Sequence, residues 1–244
     1  MNAIRALLDR GVPLVAASFD DTDCERAAKA AVEAEVDVAE LRLDQFSTTD
    51  PEHVREQIGA FRDLPVLATA RSAREGGGWT GTDEARLALF RAVAPLVDAV
   101  DVELSSREIL ADVVAAARRH DAVVIVSFHD FDRTPPIDRL RATVAEAKAA
   151  GADIVKVSTM ATSRADVKAL ATLLTEADDD TGLIVIAMGE IGSVSRIFFP
   201  ALGSRLTYSF VDHRPTSGQL GYAETFRLLR RFYPDFDQRK TAEL

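Results

Sequence analysis

The chain has 244 residues, 47% of them hydrophobic, which is ample for a sizeable core and leaves nothing that reads as disordered. Its formal net charge of -10 repels phosphate backbones, and no basic stripe with interleaved aromatics overrides that repulsion, so nucleic acid is excluded as an expected partner. The one cysteine, Cys24, cannot build a disulfide framework or a cysteine metal cluster, and no apolar run reaches membrane-spanning length.

Met1 to Ser18 carries Asp9 and Arg10 where a targeting segment would be apolar, so a soluble cytoplasmic protein without membrane contact is expected. Taken in chain order, eight short β-rich apolar runs then alternate with helical patterns. Pro13 to Ser18 precedes a helical pattern over Asp21 to Ala34, and Val36 to Leu41 precedes Asp50 to Phe61, opened by the start signal Asp50-Pro51. Pro65 to Ala70 leads through the loop glycines Gly76-Gly77-Gly78 to Thr82 to Ala94. Ala99 to Leu104 leads to Ser105 to Arg119, and Ala122 to Phe128 to Pro136 to Ala150, where Gly151 stops the helix. Asp153 to Val157, Leu183 to Ala187 and Leu206 to Phe210 are followed by Ser163 to Glu176, Ile191 to Pro200 and Gln219 to Phe232; Asp178-Asp179-Asp180 reads as a solvated turn. Eight βα units of roughly 30 residues predict a single (β/α)8 barrel domain over 1–244, a TIM barrel. An open doubly wound sheet would show fewer strands and a glycine-rich first turn.

In such a barrel the chemistry lies at the C-terminal ends of the strands. Only five residues are lysines, against 24 arginines, and Lys156 alone interrupts an apolar strand. Desolvation there lowers an amine's pKa, and a neutral amine is what a Schiff-base nucleophile requires. The bland alternative is a lysine whose head snorkels to water. Strand alternation puts Glu40, Arg42 and Asp44 on one face of their strand and Asp101 and Glu103 likewise on one face of theirs, converging on one mouth; a structural ion pair between Glu40 and Arg42 competes with a binding role. His129, one strand before Lys156, is the best placed of the four histidines to exchange protons; His213 follows the last strand and belongs to a loop. A lysine nucleophile beside a histidine fits imine chemistry. The histidines lack ligand spacing, so no metal is expected. Met188-Gly189-Glu190-Ile191-Gly192-Ser193 imitates a phosphate loop, but Glu190 would repel a phosphate.

Several segments together resemble the type I 3-dehydroquinate dehydratases of the shikimate pathway: Glu40-Leu41-Arg42-Leu43-Asp44, Arg71-Ser72-Ala73-Arg74-Glu75-Gly76-Gly77, Asp101-Val102-Glu103-Leu104, Ser127-Phe128-His129-Asp130-Phe131, Lys156, Met188-Gly189 with Ser195-Arg196, and Gly218-Gln219. The resemblance runs from Pro13 to about Phe232. It implies that Lys156 forms an imine with the C3 ketone of 3-dehydroquinate and that His129 is general base and acid. Glu40, Arg42 and Arg71 would bind substrate hydroxyls, Arg196 the carboxylate, and Ser18 and Gln219 would add contacts. Glu75 and Asp101 would orient the histidine. No cofactor is implied, and a homodimer is. The family's last loop reads Ser-Ala-Pro-Gly-Gln where this chain has Pro215-Thr216-Ser217-Gly218-Gln219, so Thr216 is the candidate for the displaced hydroxyl.

Two other functions compete. A class I aldolase shares the lysine, and a noncatalytic barrel could bind a small hydroxy acid. The loops Glu75 to Gly81 and Pro215 to Gln219 carry glycines and are expected to act as lids. The acid excess and scarcity of lysine resemble adaptation to high salt.

Overall fold

The structure, a computed structural model, describes residues 2–177, 181–211 and 218–240. Eight parallel strands, ordered β7-β6-β5-β4-β3-β2-β1-β8, form a TIM barrel. They are β1 Leu14–Phe19, β2 Val38–Arg42, β3 Val66–Thr69, β4 Ala99–Glu103, β5 Val123–Asp130, β6 Ile154–Met160, β7 Gly182–Met188 and β8 Leu206–Ser209. The seam between β7 and β8 is thin. It is closed by the Leu183–Ser204 bridge, in which Arg205 N donates to Leu183 O at 2.8 Å and Ser204 Oγ accepts from Val185 N at 3.1 Å.

Helices α2 Cys24–Glu33, α3 Pro51–Ala60, α4 Asp83–Val93, α5 Arg107–Arg119, α6 Ile137–Ala149, α7 Arg164–Thr175, α8 Ser195–Phe198 and α9 Tyr222–Phe232 connect or follow the strands. Their ends obey local chemistry. Asp50 caps α3 by accepting from Glu52 N and His53 N, Thr82 caps α4 through Ala85 N, and Gly151 ends α6 at φ +98°. The outward strand residues pack on these helices as one large apolar cluster.

A further helix, α1 Ala3–Leu8, precedes β1 and was not expected from periodicity, since six residues are too few to show it. Ile4 joins Leu14, Leu67, Ile125 and Ile184 in the barrel interior, so α1 plugs the N-terminal mouth. Asn2 ties it down by donating to the carbonyls of Asp98 (2.7 Å) and Asp121 (2.9 Å). On that side Asp37, Asp98 and Asp153, each just before an even strand, accept from the leading amides of β1, β3 and β5 at 2.8–2.9 Å. Register is thereby fixed strand by strand, and the C-terminal mouth is left for chemistry.

In the three-glycine loop after β3 the glycines meet a packing need. A Cβ at Gly77 would lie 2.0 Å from the Arg71 carbonyl, one at Gly78 2.5 Å from that of Asp44, and one at Gly76 2.6 Å from the Phe131 ring. These glycines permit close approach, and the loop is pinned by Gly77 N to Ser72 O and Trp79 N to Arg71 O. Most of the second expected lid, including Pro215, Thr216 and Ser217, lies outside the described residues, as do His213 and Asp178 to Asp180.

Gly77→Ala should therefore destabilise the protein by about 1–3 kcal/mol, because backbone atoms must move. Gly59→Ala, on the exposed face of α3 with nothing within 4 Å, should stabilise it by up to about 1 kcal/mol. Urea unfolding of the two variants checks both signs.

Candidate active site

Alternation along the strands builds the inner wall. Ser127 pairs with Lys156 and Ile184 across β5, β6 and β7, and His129 pairs with Ser158 and Ile186 two residues further towards the mouth. Side chains in register share a face, so Lys156 sits one layer below His129.

Lys156 is 5% exposed. Its Nζ lies 3.1 Å from Asp101 Oδ2, 3.1 Å from the Tyr208 hydroxyl, 3.6 Å from Glu40 Oε1 and 4.4 Å from the Tyr208 ring centroid. Burial works against its charge, but Asp101, Tyr208 and Glu40 outweigh burial and hold the amine's pKa above the ordinary lysine value. The expectation of an amine kept neutral by desolvation is thus wrong for the unliganded protein. The physical reason is two carboxylates within 4 Å, which the strand sequence around Lys156 does not display.

Asp101 is the hub. Its Oδ1 accepts from Arg71 Nη2 at 2.8 Å and from Ser127 Oγ at 2.6 Å, and Ser127 in turn accepts from Arg71 Nη1 at 2.6 Å. Arg71 also meets Glu103 (3.3 Å), whose other oxygen takes Arg86 at 2.9 Å. Although burial alone would raise it, Asp101's carboxyl is held far below the usual range by Arg71 and Lys156. Glu40 accepts from Thr69 Oγ1 at 2.9 Å and from the Ser18 hydroxyl; burial opposes its ionisation, but Lys156 and Arg42 keep it ionised.

His129 stands apart from this network. Its backbone N–H and its Nδ1 both lie 3.0 Å from Glu75 Oε2, so Nδ1 is assigned the proton and Nε2 keeps the free lone pair. Burial, with Arg71 and Lys156 adding to it, pushes its pKa well below the ordinary 6.5. Burial likewise raises Glu75 to about 7, against a hydrogen bond from Ser105. Glu75 and His129 therefore meet through a hydrogen bond with a neutral imidazole, the form a general base needs.

Arg196, on α8, is 6% exposed, has no ion-pair partner among the described residues, and its Nε is without a hydrogen bond. Burial lowers its pKa to about 10, with Tyr208 as the sole offset. A buried guanidinium in this state is an anion receptor.

Three comparisons with known proteins bear on this arrangement. The family model of type I 3-dehydroquinase matches residues 12–234. The 3-dehydroquinate dehydratase of Methanococcoides burtonii is 35% identical over 212 residues, covering 85% of this chain and 89% of that one. The crystal structure of the 3-dehydroquinate dehydratase from Aquifex aeolicus superposes with a TM-score of 0.84 at 33% identity, covering 90% of this chain and 99% of that one. A type I enzyme from Clostridium difficile, solved with covalently modified comenic acid, gives 0.86 at 27% identity over 92% and 94%. The chain belongs to the type I 3-dehydroquinase family.

Of the residues singled out in the sequence, Lys156, Asp101, Glu40, Arg71 and Ser18 are joined by direct contacts, and Glu75 with His129 forms a second group. Arg42 pairs with Asp44 through two bonds of 3.0 and 2.7 Å rather than with Glu40, and Asp101 binds Lys156 and Arg71, reaching His129 through its charge alone. Gln219 follows Gly218, whose Cβ position would be 2.2 Å from the Gly189 carbonyl, so this segment lies against the β7–α8 turn. Thr216 falls outside the described residues. In the phosphate-loop imitation, Gly192 N and Ser193 N bond to Gly189 O and Glu190 O, so these amides are used internally.

Tyr208 was missed because it reads as one more apolar residue of the last strand. Ser127 and Arg86 were missed because a small strand residue and a helix arginine carry no local mark. Ring nitrogen NMR of His129 tests the site electrostatics: the Nδ1–H tautomer should persist to well below pH 6.5, with a perturbation near pH 7 as Glu75 ionises. Glu75→Gln should abolish that perturbation. An imidazolium already formed near pH 6.5 would contradict the arrangement.

Proposed function

We propose that this protein dehydrates 3-dehydroquinate to 3-dehydroshikimate through an imine on Lys156, with His129 as the acid and base. Family membership supplies the reaction. The roles of individual residues rest on one observation above all: among the described residues, a single buried lysine inside the barrel, one layer below a neutral histidine whose Nε2 makes no hydrogen bond. The relative carrying covalently modified comenic acid is in keeping with covalent chemistry at such a site.

In this reading the C3 ketone enters beside Lys156, which must first lose a proton, and the protonated imine then acts as the electron sink for removal of the C2 proton. His129 Nε2 takes that proton and returns one to the departing C1 hydroxyl, which leaves as water. General acid–base help of this kind contributes roughly 10²- to 10⁴-fold. Arg196, a buried cation with no ion-pair partner among the described residues, receives the substrate's carboxylate. Ser18, Glu40, Arg42, Arg71, Thr216 and Gln219 are assigned to the ring's hydroxyls and its closing loop. The electron sink is the imine itself, so the scheme contains no cofactor.

The same reading places the enzyme in the cytoplasm as a homodimer that binds neither nucleic acid nor membrane. No helix of the described residues is long and apolar enough to cross a membrane. Its surface is read as adapted to high salt, because a net charge of -10 with only five lysines repels itself when unscreened. Melting temperature and activity should both rise along a potassium chloride series, and an unchanged melting temperature at very low salt would refute this.

Incubation with 3-dehydroquinate or its product followed by borohydride should add one reduced ligand to the Lys156 peptide. Lys156→Arg should lose both label and turnover, since a guanidinium stays protonated. His129→Ala should keep part of the label and lose elimination. Label on another lysine would overturn the mechanism.

A further inference from the structure

Ser158 is the one inner-wall hydroxyl of β6 that the network leaves unused. It lies two residues beyond Lys156 on the same strand face, is 3% exposed, and its Oγ has no hydrogen-bond partner among the described residues. In register it faces His129 on β5 and Ile186 on β7. A buried hydroxyl left unpaired costs about 1–3 kcal/mol, so a wall that keeps one has a ligand or a water for it.

The reaction requires a water at this height. After elimination the product is still joined to Lys156, and release needs water to attack the imine carbon. Ile186 and Met188, both buried on the inner face of β7, can neither orient a water nor accept its proton. His129 Nε2 can accept the proton, but one lone pair does not fix where the oxygen points.

We propose that Ser158 is a positioning residue that holds the hydrolytic water between His129 and the imine carbon on Lys156, an inference that rests on the Lys156 imine. The water oxygen bonds to C3 as the C=N π pair moves to nitrogen, and the water's proton passes to His129 Nε2. That proton then goes to the carbinolamine nitrogen. The C–N bond breaks as the C3 hydroxyl closes to the ketone, and its proton ends on the amine, returning Lys156 as an ammonium and His129 as neutral imidazole. Asp101 and Glu40 stabilise that ammonium.

The test is Ser158→Ala, with Ser158→Thr as the variant that keeps the hydroxyl. In Ser158→Ala, kcat and KM for 3-dehydroquinate should fall together by about tenfold, leaving kcat/KM nearly unchanged, because the slowed step follows elimination. Borohydride quenching during steady-state turnover should trap a larger fraction of enzyme at Lys156 than in the wild type. Exchange of ¹⁸O from water into the C3 carbonyl of the product should slow by a similar factor, and Ser158→Thr should restore all three. Wild-type kcat and trapping in Ser158→Ala would overturn the proposal. So would a loss of kcat without increased trapping, which would put the defect before the imine. Failure of the underlying reading looks different: the wild-type enzyme itself would then show no trapping at Lys156.

Discussion

The carboxylate of Asp101 holds two cations at once, Lys156 Nζ at 3.1 Å and Arg71 Nη2 at 2.8 Å, and the interior of the barrel mouth is organised around it. An isolated buried charge is intolerable, and a single buried pair is at best near neutral in energy. A chain of alternating charge is different, because each ion has partners on two sides. Here the chain runs from Arg86 through Glu103, Arg71, Asp101 and Lys156 to Glu40, with hydroxyls of Ser127, Ser106, Thr69 and Ser18 filling remaining lone pairs. Removing Asp101 would leave Arg71 and Lys156 facing each other without their shared counter-ion.

That network explains how one site can hold an amine and an imidazole in opposite charge states. Lys156 waits as an ammonium, ordered and unreactive, because its neighbours are ionised carboxylates. Burial, with the nearby charges of Arg71 and Lys156 adding to it, holds His129 neutral. Two carboxyls thus diverge: Asp101, among cations, stays ionised far below its ordinary range, while Glu75, farther from them and desolvated, rises to about 7. Environment rather than residue type sets each role. Among the buried groups left without a hydrogen bond are Arg196 Nε and the hydroxyl of Ser158, one on α8 and one on the inner face of β6.

Much of this was legible in the sequence because barrel strands and helices announce themselves by period. All eight predicted runs are strands, within a few residues at their ends, and Lys156 and His129 stood out by type and place. What the sequence hid is non-local. The charge state of Lys156 depends on Asp101, 55 positions away, and on Tyr208, 52 positions away, neither of which alters the look of its own strand. Arg86 resembles any solvated helix arginine until its helix is laid on β4. The glycines of 76–78 signal freedom in sequence, yet the backbone carbonyls of Arg71 and Asp44 make them a requirement of contact. Helix α1 was invisible because so short a segment has no period, and its meaning comes from the mouth that it closes.

Among the described residues the fully buried ionisable groups are five carboxylates (Asp37, Glu40, Glu75, Asp101 and Glu103) against four cations (Arg71, Arg86, Lys156 and Arg196). The buried groups among the described residues therefore carry at most one unit of net negative charge, and the other described charges lie in the partly or fully solvated layer. Mobile ions screen that layer over roughly 8–10 Å at moderate salt and penetrate little below it. The site's pKa shifts come from burial and from contacts of 2.6–3.6 Å, which lie below that layer. The buried network is therefore the part of the molecule that salt reaches least.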